Sequence, residues 1–226
     1  MKILALETST DVASLALLYG GETRSVTLPS PPAHSAVLLP ALKRLLAEAG
    51  IGLSQLDVIA CGIGPGAFTG VRLACSVTQG LALGAAVPVA PVCSLLALAQ
   101  GQLADQVYCA MDARMSEAYV AAYQREAGRW IEVIAPVCVA PTAMPLPAGS
   151  GWFGAGSALR AYSLEAAASL GETVHLSAPD AVPTAQAVAE LANHVEWIDA
   201  ALLAPLYVRD RVAFTVAERL AAGGKA

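Results

Sequence analysis

Charge is scarce in this sequence. Of 226 residues only 14% are charged while 56% are hydrophobic, against roughly 25% charge in an ordinary globular domain. Two readings of the deficit stay open: the chain buries part of its exterior against a partner, or it simply draws on an alanine-rich composition. The 13 Lys and Arg are outnumbered by 18 Asp and Glu and form no cluster. That argues against a protein that grips nucleic-acid phosphates unaided. Paired cysteines are missing too. The five (Cys61, Cys75, Cys93, Cys109, Cys138) are odd in number, sit in apolar stretches and are never spaced as C-x-x-C. Reduced core thiols in a cytosolic protein fit that pattern better than zinc or disulfides do. Histidine is down to His34, His175 and His194, too dispersed to build a metal site. Met1-Lys2 runs directly into a strand-like segment, so no signal peptide is expected.

From Leu73 to Ala104 there is no charge at all, a run longer than the ~20 residues that span a bilayer. Gly80, Gly84, Pro88 and Pro91 interrupt it, and Thr78, Gln79, Gln100 and Gln102 break its polarity. It therefore reads as a buried helix, strand and helix in succession, and no membrane association is expected.

What is present is an α/β pattern on a chain long enough to bury a core without disulfides. Ile3–Leu6, Val12–Leu18 and Thr23–Leu28 read as a three-strand meander with Gly20-Gly21 as its second turn. A helix is expected over Ala33–Ala49, with Leu38, Leu42, Leu45, Leu46 and Ala49 at helical spacing and Gly50 as its stop. Next come a buried strand (Asp57–Gly62), a glycine-rich loop (Gly64–Gly70), a helix (Thr69–Leu83), a strand (Val87–Ala90) and a helix (Ser94–Leu103). Val107–Asp112 and Glu117–Tyr123 then repeat the opening hairpin: a shift of 105 positions lays Glu7 on Asp112 and Ala13 on Ala118. Two related halves, residues 1–105 and 106–226, are the expectation. Signals in the second half are fewer. They are strands at Trp130–Val139 and Trp152–Gly154, helices at Ala158–Leu170 and Thr184–Val195, and a tail over Ala204–Ala213 that packs back on the sheet.

Two segments carry candidate chemistry. Gly64-Pro65-Gly66-Ala67-Phe68-Thr69-Gly70 lies between a strand and a helix, where backbone N–H groups and the helix N-terminus can approach an anion. It lacks the P-loop lysine and the dinucleotide spacing, and a ligand-free strand-to-helix turn explains it equally. Leu6-Glu7-Thr8-Ser9-Thr10-Asp11 forms the first hairpin tip, which is either a phosphate-holding tip or an ordinary Ser/Thr turn. The candidate anion or nucleotide residues are Thr8, Ser9, Gly64, Gly66 and Thr69. Taken with the half-repeat, these segments resemble the actin-like and sugar-kinase superfamily.

The resemblance narrows on three segments. Ala5-Leu6-Glu7-Thr8-Ser9-Thr10, Gly64 through Arg72, and Met111-Asp112-Ala113-Arg114-Met115-Ser116-Glu117-Ala118-Tyr119 look like signatures of the TsaB (YeaZ) family, in matching order and spacing. The late Pro205-Leu206-Tyr207-Val208-Arg209 matches as well, so the likeness covers essentially the whole chain, loosest from Trp130 to Asp199. It implies a two-lobed actin-like (ribonuclease H-like) α/β fold with a shortened second lobe. It also implies a cytoplasmic, non-catalytic scaffold that pairs with TsaD, its catalytic paralogue, and works with the ATPase TsaE. TsaD joins a threonylcarbamoyl group to adenosine 37 of tRNAs reading codons that begin with A, so tRNA contact would be indirect. Any ATP or ADP would sit at a composite site in the complex. The paralogue carries an H-x-x-x-H metal pair where Val89–Ala99 of this chain has Cys93, Ala97 and no histidine. Neither metal ligands nor catalytic residues are expected here, and a zinc peptidase is excluded on the same ground.

The second helix has Arg72 as its only charge, and Val71, Leu73, Cys75, Val77, Leu81 and Leu83 spread around its circumference. A helix apolar all round is expected to be covered on both sides. Gly70, Ala74, Ser76, Thr78 and Gly80 would let another helix approach closely. The cover is either this chain's own second half or a partner. In the family, this helix and the one near His34 meet TsaD or a second TsaB copy. That places His34, Val37, Leu38, Ala41, Phe68, Arg72, Cys75, Ser76 and Gly80 at the interface. The competing function is an independent ATP-dependent phosphotransferase, with Asp112 as metal ligand and Gly154-Ala155-Gly156-Ser157 as an adenosine loop. The abbreviated second half argues against it.

Overall fold

Strands β1 (Ile3–Glu7), β2 (Ser14–Tyr19) and β3 (Glu22–Thr27) form the expected meander in the computed structural model, which describes residues 1–28 and 34–209 and all their side chains but those of His34 and Leu176. Tyr19 pairs with Glu22 around a two-residue turn in which Gly20 and Gly21 both have positive φ (60° and 85°). That backbone matches the twist of the flanking strands and suits glycine. Helix α1 (His34–Ala49) ends at Gly50, again at positive φ. Then follow β4 (Val58–Gly62), α2 (Phe68–Ala85), β5 (Val89–Val92) and α3 (Ser94–Gln100).

The second half contributes β6 (Gln106–Arg114), β7 (Glu117–Glu126), β8 (Arg129–Val139), β9 (Trp152–Ala155), α4 (Ala158–Ala161), α5 (Ser163–Leu170), β10 (Val174–Ala178) and α6 (Ala185–Leu191). One five-stranded sheet runs β3-β2-β1-β4-β5 and the other β8-β7-β6-β9-β10, so the two share one connectivity. β1 pairs parallel with β4, and β6 with β9, at corresponding positions. Where the first half has α1 between its third and fourth strands, the second has only a single-turn helix at Pro141–Ala143. This is the physical content of the shortening.

Several boundaries differ from the sequence reading. The helix expected over Ala158–Leu170 breaks at Tyr162 (φ −124°, ψ 47°), whose hydroxyl donates to Asp112 Oδ1 at 2.8 Å. The helix expected to reach Val195 stops at Leu191, and the Trp197 indole N–H donates to the Ala192 carbonyl at 2.7 Å just beyond. β10 was not anticipated, because Val174–Ala178 is short and its pairing partner β9 lies some twenty residues upstream. Of the expected tail, residues 204–209 are extended, with the Leu206 N–H donating to the Ile63 carbonyl (2.8 Å) beside the end of β4; residues 210–213 lie outside the described ones.

Period-2 alternation decides what each face of the first sheet meets. Leu4, Leu6, Leu15 and Leu17 pack with Leu38, Leu42, Leu45 of α1 and Val71, Ala74, Cys75 of α2. On the opposite face the cross-strand register lines up Ala16, Ala5, Ala60 and Ala90 in one row through β2, β1, β4 and β5. That row lies under α6, which brings Ala185, Ala187, Val188, Ala189 and Leu191, and under Ala97 of α3. Alanine on both surfaces lets the helix sit close to the strands, so part of the alanine excess has a packing role. α3 turns its other side to the second sheet, with Leu95, Leu98 and Ala99 against Val107, Cys109 and Ala121. Thus α3 faces both sheets, and α6 returns from the second half to cover the first. No helix among the described residues is long and apolar enough to cross a membrane.

Ala5→Leu adds buried volume where β1 meets α6. It is expected to lower stability by about 1–3 kcal/mol, read as a lower urea midpoint with an unchanged slope.

Candidate functional site

The first hairpin tip and the glycine loop are clamped together. Glu7 closes β1 fully buried and accepts hydrogen bonds from the Ser9 N–H (2.6 Å) and the Ser94 hydroxyl (2.8 Å). Ser94 also exchanges two bonds with Gly64: its N–H donates to the Gly64 carbonyl (2.7 Å), and its Oγ accepts the Gly64 N–H (3.1 Å). Thr8 Oγ1 donates to the Gly70 carbonyl (2.6 Å), and the Ala67 N–H donates to the Ser9 carbonyl (2.7 Å). A Cβ on Gly62 would collide with the Glu7 carboxylate, one on Gly66 with the Ser9 carbonyl, and one on Gly70 with the Thr8 carbonyl. Gly66 and Gly70 are needed because backbone lies directly on backbone, and Gly62 because it makes room for the buried Glu7 carboxylate.

This changes how the candidate anion residues stand. Thr8 and Ser9 are 0% and 1% exposed, and Gly64 is buried. The amides of Gly64 and Ala67 already have partners within the chain. Gly66 is half-buried, and Thr69 is the exposed member of the set. The loop acts as an internal clasp between β1, β4, α2 and α3. Burial lifts the Glu7 carboxyl above its ordinary 4.5, and the hydrogen bonds from Ser9 and Ser94 oppose that only in part.

Between the two hairpin tips lies a cleft of about 1090 Å³, bordered by Asp11, Arg72, Asp112, Arg114, Arg160 and Tyr207 among others. Arg114 reaches across it to Asp11 at 3.7 Å. Asp112 is engaged by its own chain: Oδ1 accepts from Tyr162 OH and the Arg114 N–H (2.8 Å each), and Oδ2 faces Arg114 Nη1 at 3.2 Å. It is a turn-forming brace. No group of three or more His, Cys, Asp or Glu side chains among the described residues could hold a metal ion. Arg114, Met115 and Ser116 all have positive φ (62°, 55° and 57°), a conformation that costs non-glycine residues roughly 1–2 kcal/mol each.

The tail holds that tip. Arg209 Nη2 faces Glu117 Oε2 at 2.5 Å and donates to the carbonyls of Ala113 (3.0 Å) and Arg114 (3.3 Å). Two residues earlier, the Tyr207 hydroxyl accepts the Arg72 Nε–H at 2.9 Å. Residues 205–209 therefore strap the start of α2 to the second hairpin. In the sequence this segment is legible as a family signature and as a tail packing back on the sheet, but its partners, Arg72, Ala113, Arg114 and Glu117, lie far from it along the chain.

α2 is covered on one side only. Val71, Ala74, Cys75, Thr78 and Ala82 are buried, while Thr69, Arg72, Ser76, Gly80, Leu83 and Gly84 form an exposed stripe at helical spacing. The chain itself thus supplies one of the two covers expected for this helix. Most of its apolar residues face the core, Leu83 and Phe68 being exposed, and the second half of the chain touches its flank where Gln79 Nε2 donates to the Ala200 carbonyl at 2.8 Å. Phe68 (48% exposed), Leu83 (57%) and Leu39 of α1 (42%) extend the apolar surface. Of the expected interface residues, Phe68, Arg72, Ser76 and Gly80 are exposed, and Val37 and Ala41 half-buried. Leu38 and Cys75 belong to the core beneath and present no surface. The His34 side chain is outside the described ones. All five cysteines are free; Cys61, Cys75 and Cys109 are buried, while Cys93 and Cys138 are half-buried.

Two sheets of one connectivity facing a cleft, with a truncated second half, define a two-lobed actin-like α/β protein. A family model for TsaD, described as a tRNA N6-adenosine threonylcarbamoyltransferase, matches residues 30–151. The tRNA threonylcarbamoyladenosine biosynthesis protein TsaB of Haemophilus influenzae is 36% identical, the match covering 94% of this chain and 95% of that protein. The TsaB protein of Escherichia coli K12 is 42% identical over 58% of each chain. Among solved structures, YeaZ from Pseudomonas aeruginosa superposes with a TM-score of 0.82 at 36% identity, covering 91% of this chain and 99% of that one. The chain belongs to the TsaB (YeaZ) family.

Two outcomes test the clasp. Gly70→Ala is expected to cost about 1–3 kcal/mol, because a backbone carbonyl has to move, seen as a lower melting temperature. For Glu7 the raised folded value means that the native state binds this proton more tightly than the unfolded chain does. Its favourable contribution is complete below 4.5 and is lost as pH rises through the raised value. Relative to Glu7→Gln, the parent chain should therefore gain stability on acidification towards 4.5, measured as the difference between urea-unfolding free energies at several pH values.

Proposed function

We propose that this chain is a non-catalytic subunit of the machinery that forms threonylcarbamoyladenosine on tRNA. In this reading it docks a TsaD protein through α1 and α2 and works alongside the ATPase TsaE in the cytoplasm. The observation that carries the reading is the exposed face of α2, where Ser76, Gly80 and Gly84 recur every four residues beside Leu83 and Phe68. A stripe with so little side chain admits the backbone of another helix, and the exposed Leu83 and Phe68 beside it are poorly served by water. The TsaB names of the relatives supply the process, and the TsaD family match suggests a like-folded partner. The same face also suits a second copy of the chain, so a homodimer is proposed as the form adopted when TsaD is absent. With the Gly64 loop filled by the first hairpin, an ATP or ADP site in this reading is shared with the partner. Contact with tRNA is indirect, consistent with the net charge of −5.

Size-exclusion chromatography with light scattering, on this protein alone and mixed with TsaD from the same source, tests the proposal. A dimer that exchanges into a mixed complex is expected; a monomer that ignores TsaD overturns it. Gly80→Arg sharpens the test, because a Cβ at this exposed position meets nothing of its own chain within 4 Å. The variant should keep the parent melting temperature while losing at least about tenfold in affinity for TsaD, roughly 1.4 kcal/mol. Hydrolysis of ATP by the chain alone at about 1 s⁻¹ or faster would favour the phosphotransferase instead.

A further inference from the structure

Resting on the docking face just described, we propose that Arg72 selects a partner that brings a carboxylate to it, and so sets this chain's preference for a different subunit over a second copy of itself. Arg72 lies on the exposed stripe one turn before Ser76 and two before Gly80, and it is the single charge on α2. Its guanidinium stacks over the Phe68 ring at 3.6 Å, and its Nε–H is taken by the Tyr207 hydroxyl at 2.9 Å. The plane is thereby fixed, and the two terminal nitrogens are left to face outward partners. Among the described residues no carboxylate comes within ion-pair distance of Arg72, whereas Arg44, Arg114, Arg125, Arg160 and Arg209 all have one. A guanidinium held in one plane with a free edge is suited to a two-pronged bond with a carboxylate.

A second copy's α1 and α2 do not supply that group. α1 and α2 together hold one acidic residue, Glu48, which lies at the far end of α1 and is paired with Arg44 at 3.8 Å. A second copy that docks its own α1 and α2 would cover Arg72 with apolar and small side chains. A desolvated charge without a counter-ion opposes such a pairing, and this penalty acts as discrimination against the wrong partner. A subunit presenting an Asp or Glu at this point removes the penalty and gains a charge-assisted bond. A nucleic-acid phosphate is the weaker candidate. The stripe around Arg72 consists of Thr69, Ser76, Gly80 and apolar residues, with no second cation on the helix.

The test compares the parent chain, Arg72→Gln and Tyr207→Phe by sedimentation velocity, each alone and with TsaD from the same source, at low and moderate salt. Arg72→Gln should weaken the mixed complex by roughly thirtyfold or more and flatten its salt dependence, with self-association unchanged or tighter. Tyr207→Phe should lose a smaller part of the mixed affinity, since the guanidinium is kept but no longer pinned. Equal weakening of mixed and self complexes by Arg72→Gln would make Arg72 a packing residue and overturn the proposal. An unchanged mixed complex would overturn it too, as would loss of tRNA binding with the mixed complex intact. Gly80→Arg separates the two levels, because it abolishes both complexes if the docking face is right. If it leaves both intact, the face itself is wrong.

Discussion

The contact on which the rest of this structure depends is backbone against backbone, where the tip of the first hairpin lies on the loop between β4 and α2. Thr8 and Ser9 press into Gly66 and Gly70 so closely that a methyl group on either glycine would meet a carbonyl. Hydrogen bonds from Thr8 and Ala67 close the contact, and Glu7 and Ser94 brace it from below. Because the loop leads directly into α2, this contact fixes where the helix starts and which side of it points away from the sheet. A feature with the composition of an anion cradle thus serves as a clasp, with the Gly64 and Ala67 amides paired inside the chain.

The duplication of one five-stranded plan explains the architecture, and its imperfections explain the surface. Both sheets share a strand order, yet only the first carries a long helix between its third and fourth strands. The first sheet is closed on its inner face by α3 and α6, and an alanine row on the strands lets α6 approach. Its outer face is closed by α1 and α2; residues 198–203 pack along one flank of α2, and its stripe from Thr69 to Gly84 stays exposed. The strap at residues 205–209 spans from the start of α2 to the second hairpin. It therefore ties the geometry of the cleft to the orientation of Arg72 on the exposed face of α2.

Low charge has two separable origins once the fold is known. Part is internal, since helix and strand meet through alanines at the α6 surface. Part is external, since the exposed stripe of α2 consists mostly of small residues with Arg72 as its single charge, where a solvated helix would carry several.

By itself the sequence determined the order and type of most elements, because strand alternation, helical spacing and glycine or proline stops act over a few residues. It also revealed the repeat of the hairpin and the family motifs. It could not reveal that Thr8 and Ser9 lie inside, or that Leu38 and Cys75 sit under the α2 face instead of on it. These depend on which residues meet across 60 positions or more, as Thr8 meets Gly70. The break at Tyr162 and the pairing of β10 depend likewise on distant partners, Asp112 and β9. Local pattern specifies what each segment can become; only packing decides which of its faces is covered and which is left for something else to cover.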